Sequence, residues 1–196
     1  MLKSLVLAFS LFSMTAYGAT LKLNTKESKI EWLGKKVVSG QHNGTINVKN
    51  GWIKFDGEMP KTAEIVVDMN TIVNLDLKDA KWNKKLVGHL NSEDFFDIKK
   101  HPTATYKIKS FTKKGGMYTL NGHMTIRGVT KPFNTQAKLM KSKNSATLNA
   151  KVMLDRTDYN VKYGSGKFFK GLGDKMIADE IELNVKLVAG KANDKA

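Results

Sequence analysis

From Ile177 to Val188 the chain alternates without a break. Ile177, Asp179, Ile181, Leu183, Val185 and Leu187 fall on one parity, and Ala178, Glu180, Glu182, Asn184, Lys186 and Val188 on the other. Successive side chains of an extended strand point to opposite faces, so this period of two builds a ribbon with one apolar face. The same period recurs upstream. Ile65, Val67 and Met69 alternate with Glu64, Val66 and Asp68; Ala104, Tyr106 and Ile108 with Thr105, Lys107 and Lys109; Leu148, Ala150, Val152 and Leu154 with Asn149, Lys151 and Met153. Phe133, Thr135, Ala137 and Leu139 form another run, and Tyr118, Leu120, Met124 and Ile126 lie along a further strand. Ile30–Trp32, Ile46–Val48 and Trp52–Phe55 add shorter stretches near the start.

About eight one-sided strands must hide their apolar faces against one another. A closed antiparallel barrel does this and removes sheet edges; a two-sheet sandwich also satisfies the pattern. Long strands, prolines only at 60, 102 and 132, and an up-and-down hairpin order favour the barrel. Turns are expected at Asn50-Gly51, Asp56-Gly57 and Gly115-Gly116, and Asn121-Gly122 reads as a bulge within one strand from Met117 to Arg127. Trp82, Leu86 and Leu90, spaced i, i+4, i+8 among lysines, predict a short amphipathic helix over Leu77–Leu90. A second helical turn is expected within Asn160–Leu172.

The N-terminus has the order of a secretory leader. Lys3 precedes the apolar Leu5–Met14 stretch, and Ala16 and Gly18 set small side chains at −3 and −1 of a cut after Gly18. Residues 1–18 are therefore expected to be a signal peptide, and 19–196 a single domain in the periplasm or outside the cell. The chain has no Cys, which removes thiol and disulfide chemistry. Net charge is +15, one less without Lys3, yet Arg occurs only at 127 and 156. Base and phosphate readout prefers Arg's planar fork, so no nucleic-acid partner is expected. Lysines can still attract an anionic membrane surface.

Catalytic patterns fail one by one. Gly164-Ser165-Gly166-Lys167 lacks the Gly and the Ser/Thr of a phosphate loop, having Val161 and Phe168 there. His42, His89, His101 and His123 form no short metal-ligand pair, and Glu93-Asp94 reads better as a helical turn than as an acid–base pair. No enzyme and no cofactor are expected.

Five blocks in order carry a resemblance. They are His89–Asp97 (HLNSEDFFD), His101–Tyr106 (HPTATY), Leu120–Pro132 (LNGHMTIRGVTKP), Leu154–Tyr159 (LDRTDY) and Asp179–Ile181 (DEI). Together they make the sequence resemble the YceI-like family of periplasmic polyisoprenoid-binding proteins over most of residues 20–189. The resemblance is weakest over Thr25–Lys36 and Gly40–Gly44. It implies an eight-stranded lipocalin-like barrel around a long pore for a polyprenyl-type chain, with the Leu77–Phe96 region as lid or plug. A symmetric dimer is compatible with it, and nothing in the residues demands one.

The ligand expected on this basis is a long-chain lipid: an isoprenoid quinone, a polyprenyl phosphate or a fatty amide. Its candidate wall is the inward parity, Ile65, Val67, Tyr106, Ile108, Met124, Ile126, Phe133, Leu154, Ile181 and Leu183, with Phe95 and Phe96 at the mouth. Each wall residue reads equally well as packed core. Arg127 is the candidate for a head group, or for a structural pair with Asp94 or Asp155. The rival reading is a basic envelope protein that binds anionic polymer or membrane, with a packed, ligand-free barrel.

Overall fold

The computed structural model describes residues 18–190, so the expected leader lies outside the described residues except for Gly18. Nine strands, β1 (Thr20–Lys22), β2 (Lys29–Lys36), β3 (Gln41–Asp56), β4 (Met59–Asn74), β5 (Thr103–Lys114), β6 (Met117–Ile126), β7 (Val129–Lys141), β8 (Ser145–Asp155) and β9 (Ile177–Gly190), carry the chain around the molecule. Every pairing from β2 to β9 is antiparallel between consecutive strands, and β2 then pairs with β9. The result is a closed, eight-stranded up-and-down barrel, in which neither edge is left to template another chain. β1 is the ninth strand but not a ninth stave. It pairs with Trp52–Lys54 of β3, and Leu23 bridges Ala189, so β1 continues β2 along the same gap after an interruption at Asn24–Ser28.

The two ends of the barrel differ. Short hairpins at 57–58, 115–116 and 142–144 close the lower end. There Ile53, Phe55, Ala137, Ala146 and Ala189 pack to near-zero exposure, joined by Leu23, Phe111 and Tyr118. Residues 75–102, which include helix α1 (Ala80–Asn91), and residues 156–176 cross the upper end. Asp79 caps α1 by accepting from the Trp82 amide at 3.0 Å.

The expected bulge at Asn121-Gly122 sits inside continuous β6, but the extra residue is Lys109 on β5. A side chain at Gly122 would meet the Lys107 carbonyl oxygen at 2.1 Å, so this glycine admits the bulged neighbour. Two further expectations need correction. Asn50-Gly51 is not a turn: β3 passes straight through it, with Lys49 bulged between Val48 and Asn50. Gly51 serves close approach there, because a Cβ would lie 2.5 Å from both the Glu64 carbonyl oxygen and Leu23 Cδ1. Residues 160–172 form turns rather than helix, and the 3-10 segments flank them at Arg156–Tyr159 and Gly173–Lys175. The apolar stripe of α1 faces the barrel only in part, since Trp82 remains 54% exposed.

Candidate functional site

Above the packed floor the barrel is hollow. A cavity of about 600 Å³ extends from Leu148 and Leu187 up to the helix-bearing end. Its wall follows from alternation and register. Ile65, Tyr106 and Met124 lie side by side across β4, β5 and β6, while Leu154 pairs with Ile181 and Val152 with Leu183 across β8 and β9. Val67, Ile108, Ile126 and Phe133 complete the expected set, and all of these line the cavity.

The polar group of Tyr106 is already occupied, whereas the buried Nε1 of Trp32 in the same wall has no acceptor. The Tyr106 hydroxyl donates toward the carbonyls of Leu120 and Phe133 at 3.0 and 3.1 Å, and its ring meets Phe133 edge-on at 5.5 Å. Burial, reinforced by the nearby Tyr159, pushes the Tyr106 phenol well above its ordinary pKa, so it stays neutral. Tyr159 is pushed up to about 12 by burial and by Asp158.

The roof is aromatic. Phe95 and Phe96 meet edge-on at 5.3 Å, and His89 packs between Phe95 and Tyr163 at 5.6 and 4.4 Å. Leu86, His89 and Leu90 of α1 look into the cavity beside Phe95 and Phe96. Asp97, at the end of this block, is buried with φ of 47° and holds Lys100 at 3.2 Å. Where the cavity meets solvent, Lys35, Lys36, Gly40 and Gln41 line it.

Arg127 is the one expected site residue that does not reach the cavity. It occupies the β6–β7 turn with φ of 50°, and its guanidinium donates to the carbonyls of Asn160 and Glu93, each at 2.6 Å. It thereby ties the two crossing connections together, through backbone carbonyls rather than through Asp94 or Asp155.

The cavity's own arginine is Arg156, which the sequence reading passed over. Only 1% exposed, it lines the upper cavity with its guanidinium 5.5 Å from the Phe95 ring. Its N–H groups donate to the carbonyls of Ala178, Val161, Tyr163 and Ile177, and Nη2 lies 3.5 Å from Asp179. Burial lowers its pKa, opposed by Asp179 and Asp155. With its donors spent on carbonyls, Arg156 is a structural bracket rather than a free cation for a ligand. Beside it Asp155 accepts from the Thr157 amide and hydroxyl and from Lys167 at 2.7 Å. Burial alone would raise the Asp155 carboxyl, but these donors hold it below its usual range.

Trp32, Leu86, His89 and Leu90 were also missed as wall residues. The Trp82–Leu86–Leu90 stripe was the signal for two of them. Among the described residues no group of three or more His, Asp or Glu is placed to hold a metal ion.

Comparison with known proteins agrees with this architecture. A UPF0312 protein of Pectobacterium atrosepticum is 33% identical over 147 residues, covering 71% of this chain and 74% of that one. Among solved structures, BcnA of Burkholderia cenocepacia superimposes with a TM-score of 0.67 at 23% identity, over 85% of this chain and 99% of that one. A polyisoprenoid binding domain from Saccharophagus degradans gives a TM-score of 0.65 at 12% identity, over 88% and 98%. The YceI-like domain model matches residues 21–189, and the chain belongs to that family.

Proposed function

We propose that this YceI-like protein binds and carries one long-chain apolar ligand in its upper barrel after export to the periplasm. The ligand class is an isoprenoid or fatty-acid derivative, such as a quinone, a polyprenyl phosphate or a fatty amide. The observation that carries the reading is the cavity of about 600 Å³, walled by aliphatic and aromatic side chains, with Tyr106 and Arg156 already hydrogen-bonded and the Trp32 Nε1–H left without an acceptor. The shared fold of the Saccharophagus polyisoprenoid binding domain supports the ligand class.

Binding is burial. Each CH₂ removed from water contributes roughly 0.8 kcal/mol, so ten carbons contribute roughly 8 kcal/mol before the ordering cost. From Leu154 to Leu148 the wall descends six residues of β8, roughly 20 Å at about 3.3 Å per residue. The floor at Phe111 and Tyr118 stops a longer chain from running through, so one end of the ligand stays at the mouth. A charged head group there meets Lys35 and Lys36, not Arg127 or Arg156.

Native mass spectrometry with organic extraction tests this. A one-to-one adduct that extracts as an isoprenoid or long acyl compound is the expected result. A delipidated protein that takes up no added quinone, polyprenol or fatty amide overturns it. A rival that needs a solid barrel, with the basic surface alone active, does not accommodate the void.

A further inference from the structure

We propose that the mouth end of the barrel is a docking face for an anionic lipid bilayer, so that ligand passes between membrane and cavity without crossing bulk water. The proposal rests on the cavity reading above and adds the partner it exchanges with.

Three of the four connections at this end expose large apolar side chains. Val37 and Val38 stand at 58% and 65% exposure in the β2–β3 loop, Leu75 and Trp82 at 52% and 54% around the start of α1, and Phe168 and Phe169 at 47% and 48% between β8 and β9. Apolar side chains of this size on neighbouring loop tips mark an interaction surface. The tips form one face. The Val37 amide donates to the Met176 carbonyl at 3.0 Å, the Leu75 amide donates to the Asn43 carbonyl at 2.9 Å, and Tyr163 stacks edge-on against His89 of α1. The cavity opens within that face, between Lys35, Lys36 and Gln41 and the helix.

Lysines interleave with the apolar tips. Lys35 and Lys36 precede Val37, Lys81 and Lys85 flank Trp82, and Lys170 follows Phe169. Lys85 Nζ sits 5.1 Å over the Trp82 ring and Lys162 Nζ 4.8 Å over the Phe168 ring. Two acids beside the helix are engaged: Asp76 is held by His42 and the Asn43 amide, and Asp79 caps α1. Aromatic and aliphatic tips set among free cations suit the boundary between acyl chains and phosphate head groups, where the lysines meet anionic lipid. The occupant inferred is therefore a bilayer rather than an acidic protein.

Flotation with phosphatidylglycerol/phosphatidylethanolamine vesicles tests the face, with phosphatidylcholine vesicles as control. Binding is expected to the anionic vesicles only, to weaken with salt, and to bring Trp82 within reach of brominated acyl chains; the Trp82→Phe variant then loses the quenching. The pair Phe168→Ser/Phe169→Ser, or Lys81→Glu/Lys85→Glu, is expected to weaken binding by at least about tenfold. Lys113→Glu/Lys114→Glu at the opposite end is expected to leave it unchanged. None of these residues lines the cavity, so uptake of detergent-dispersed quinone, measured in parallel, reports on the cavity alone. Uptake without vesicle binding overturns the docking face and spares the cavity. Vesicle binding without uptake overturns the cavity reading and spares the face. Vesicle binding that follows the opposite-end lysines, or a dimer dissolved by Phe168→Ser/Phe169→Ser, also overturns the face.

Discussion

The two arginines of this chain divide labour in a way their spacing does not announce. Both follow the end of an alternating strand, and both are rare among lysines. Arg127 looked suited to a head group because a planar fork is chosen for geometry, and geometry is indeed what it supplies, but to two backbone carbonyls. Arg156 does the same from inside. Arg156→Ala leaves at least four carbonyls without their donor, and is expected to cost about 3–5 kcal/mol in denaturant unfolding. Arg127→Ala, at a half-buried turn, is expected to leave lipid uptake intact; lost uptake at unchanged stability would return Arg127 to the site. Two aspartates carry an acid limit. Burial acts to raise Asp76, but the Asn43 amide, His42 and Asn74 together hold it below its usual range, and Asp155 is held low in the same sense. A carboxyl with a lowered folded-state pKa stabilises fully above the unfolded value of about 3.9, and that contribution disappears as pH falls through the folded value. Unfolding midpoints should therefore drop on acidification below about pH 4, and Asp155→Asn should flatten the drop.

At the level of elements, period-two alternation was enough to place most staves, because a half-buried strand has no other way to satisfy a closed barrel. Helix α1 was legible from i, i+4 spacing, although Asp79 starts it later than the apolar pattern suggested. Asn50-Gly51 misled because the dipeptide that favours a hairpin also suits a bulge where another backbone closes in. Gly51→Ala separates the two roles. The added Cβ collides with the Glu64 carbonyl, so a loss of about 1–3 kcal/mol is expected on thermal or denaturant unfolding. Unchanged stability would mean the close approach is not real. The connection at 160–172 carries several glycines and has no apolar period of 3.6, so its path depends on what anchors it: Arg156, Lys167 and the Arg127 contact at Asn160.

Across the whole molecule, closure decides what the barrel contains. Large side chains converge at the lower end, Phe55, Phe111 and Tyr118 with Leu23 just past β1, whereas Ala104 and Ala150 leave room above. Filling that room is the cleanest global test. Ala150→Trp is expected to abolish uptake of a long-chain quinone while circular dichroism still reports a folded barrel; undiminished uptake would place the ligand elsewhere. The sequence by itself determined the strand periodicity, the inward parity, the helix and the family resemblance, because these are local or pairwise consequences of side-chain order. All but one of the residues it put forward for the site line the cavity, since lining and core share one parity, although most of the wall went unnamed. Only the tertiary structure decided which inward residues pack a floor and which surround a void. That depends on side chains from strands far apart in the chain meeting, or failing to meet, across the barrel axis. It also decided that Arg156 rather than Arg127 faces inward, because a residue just past a strand end takes its direction from the turn that follows, outside the alternation.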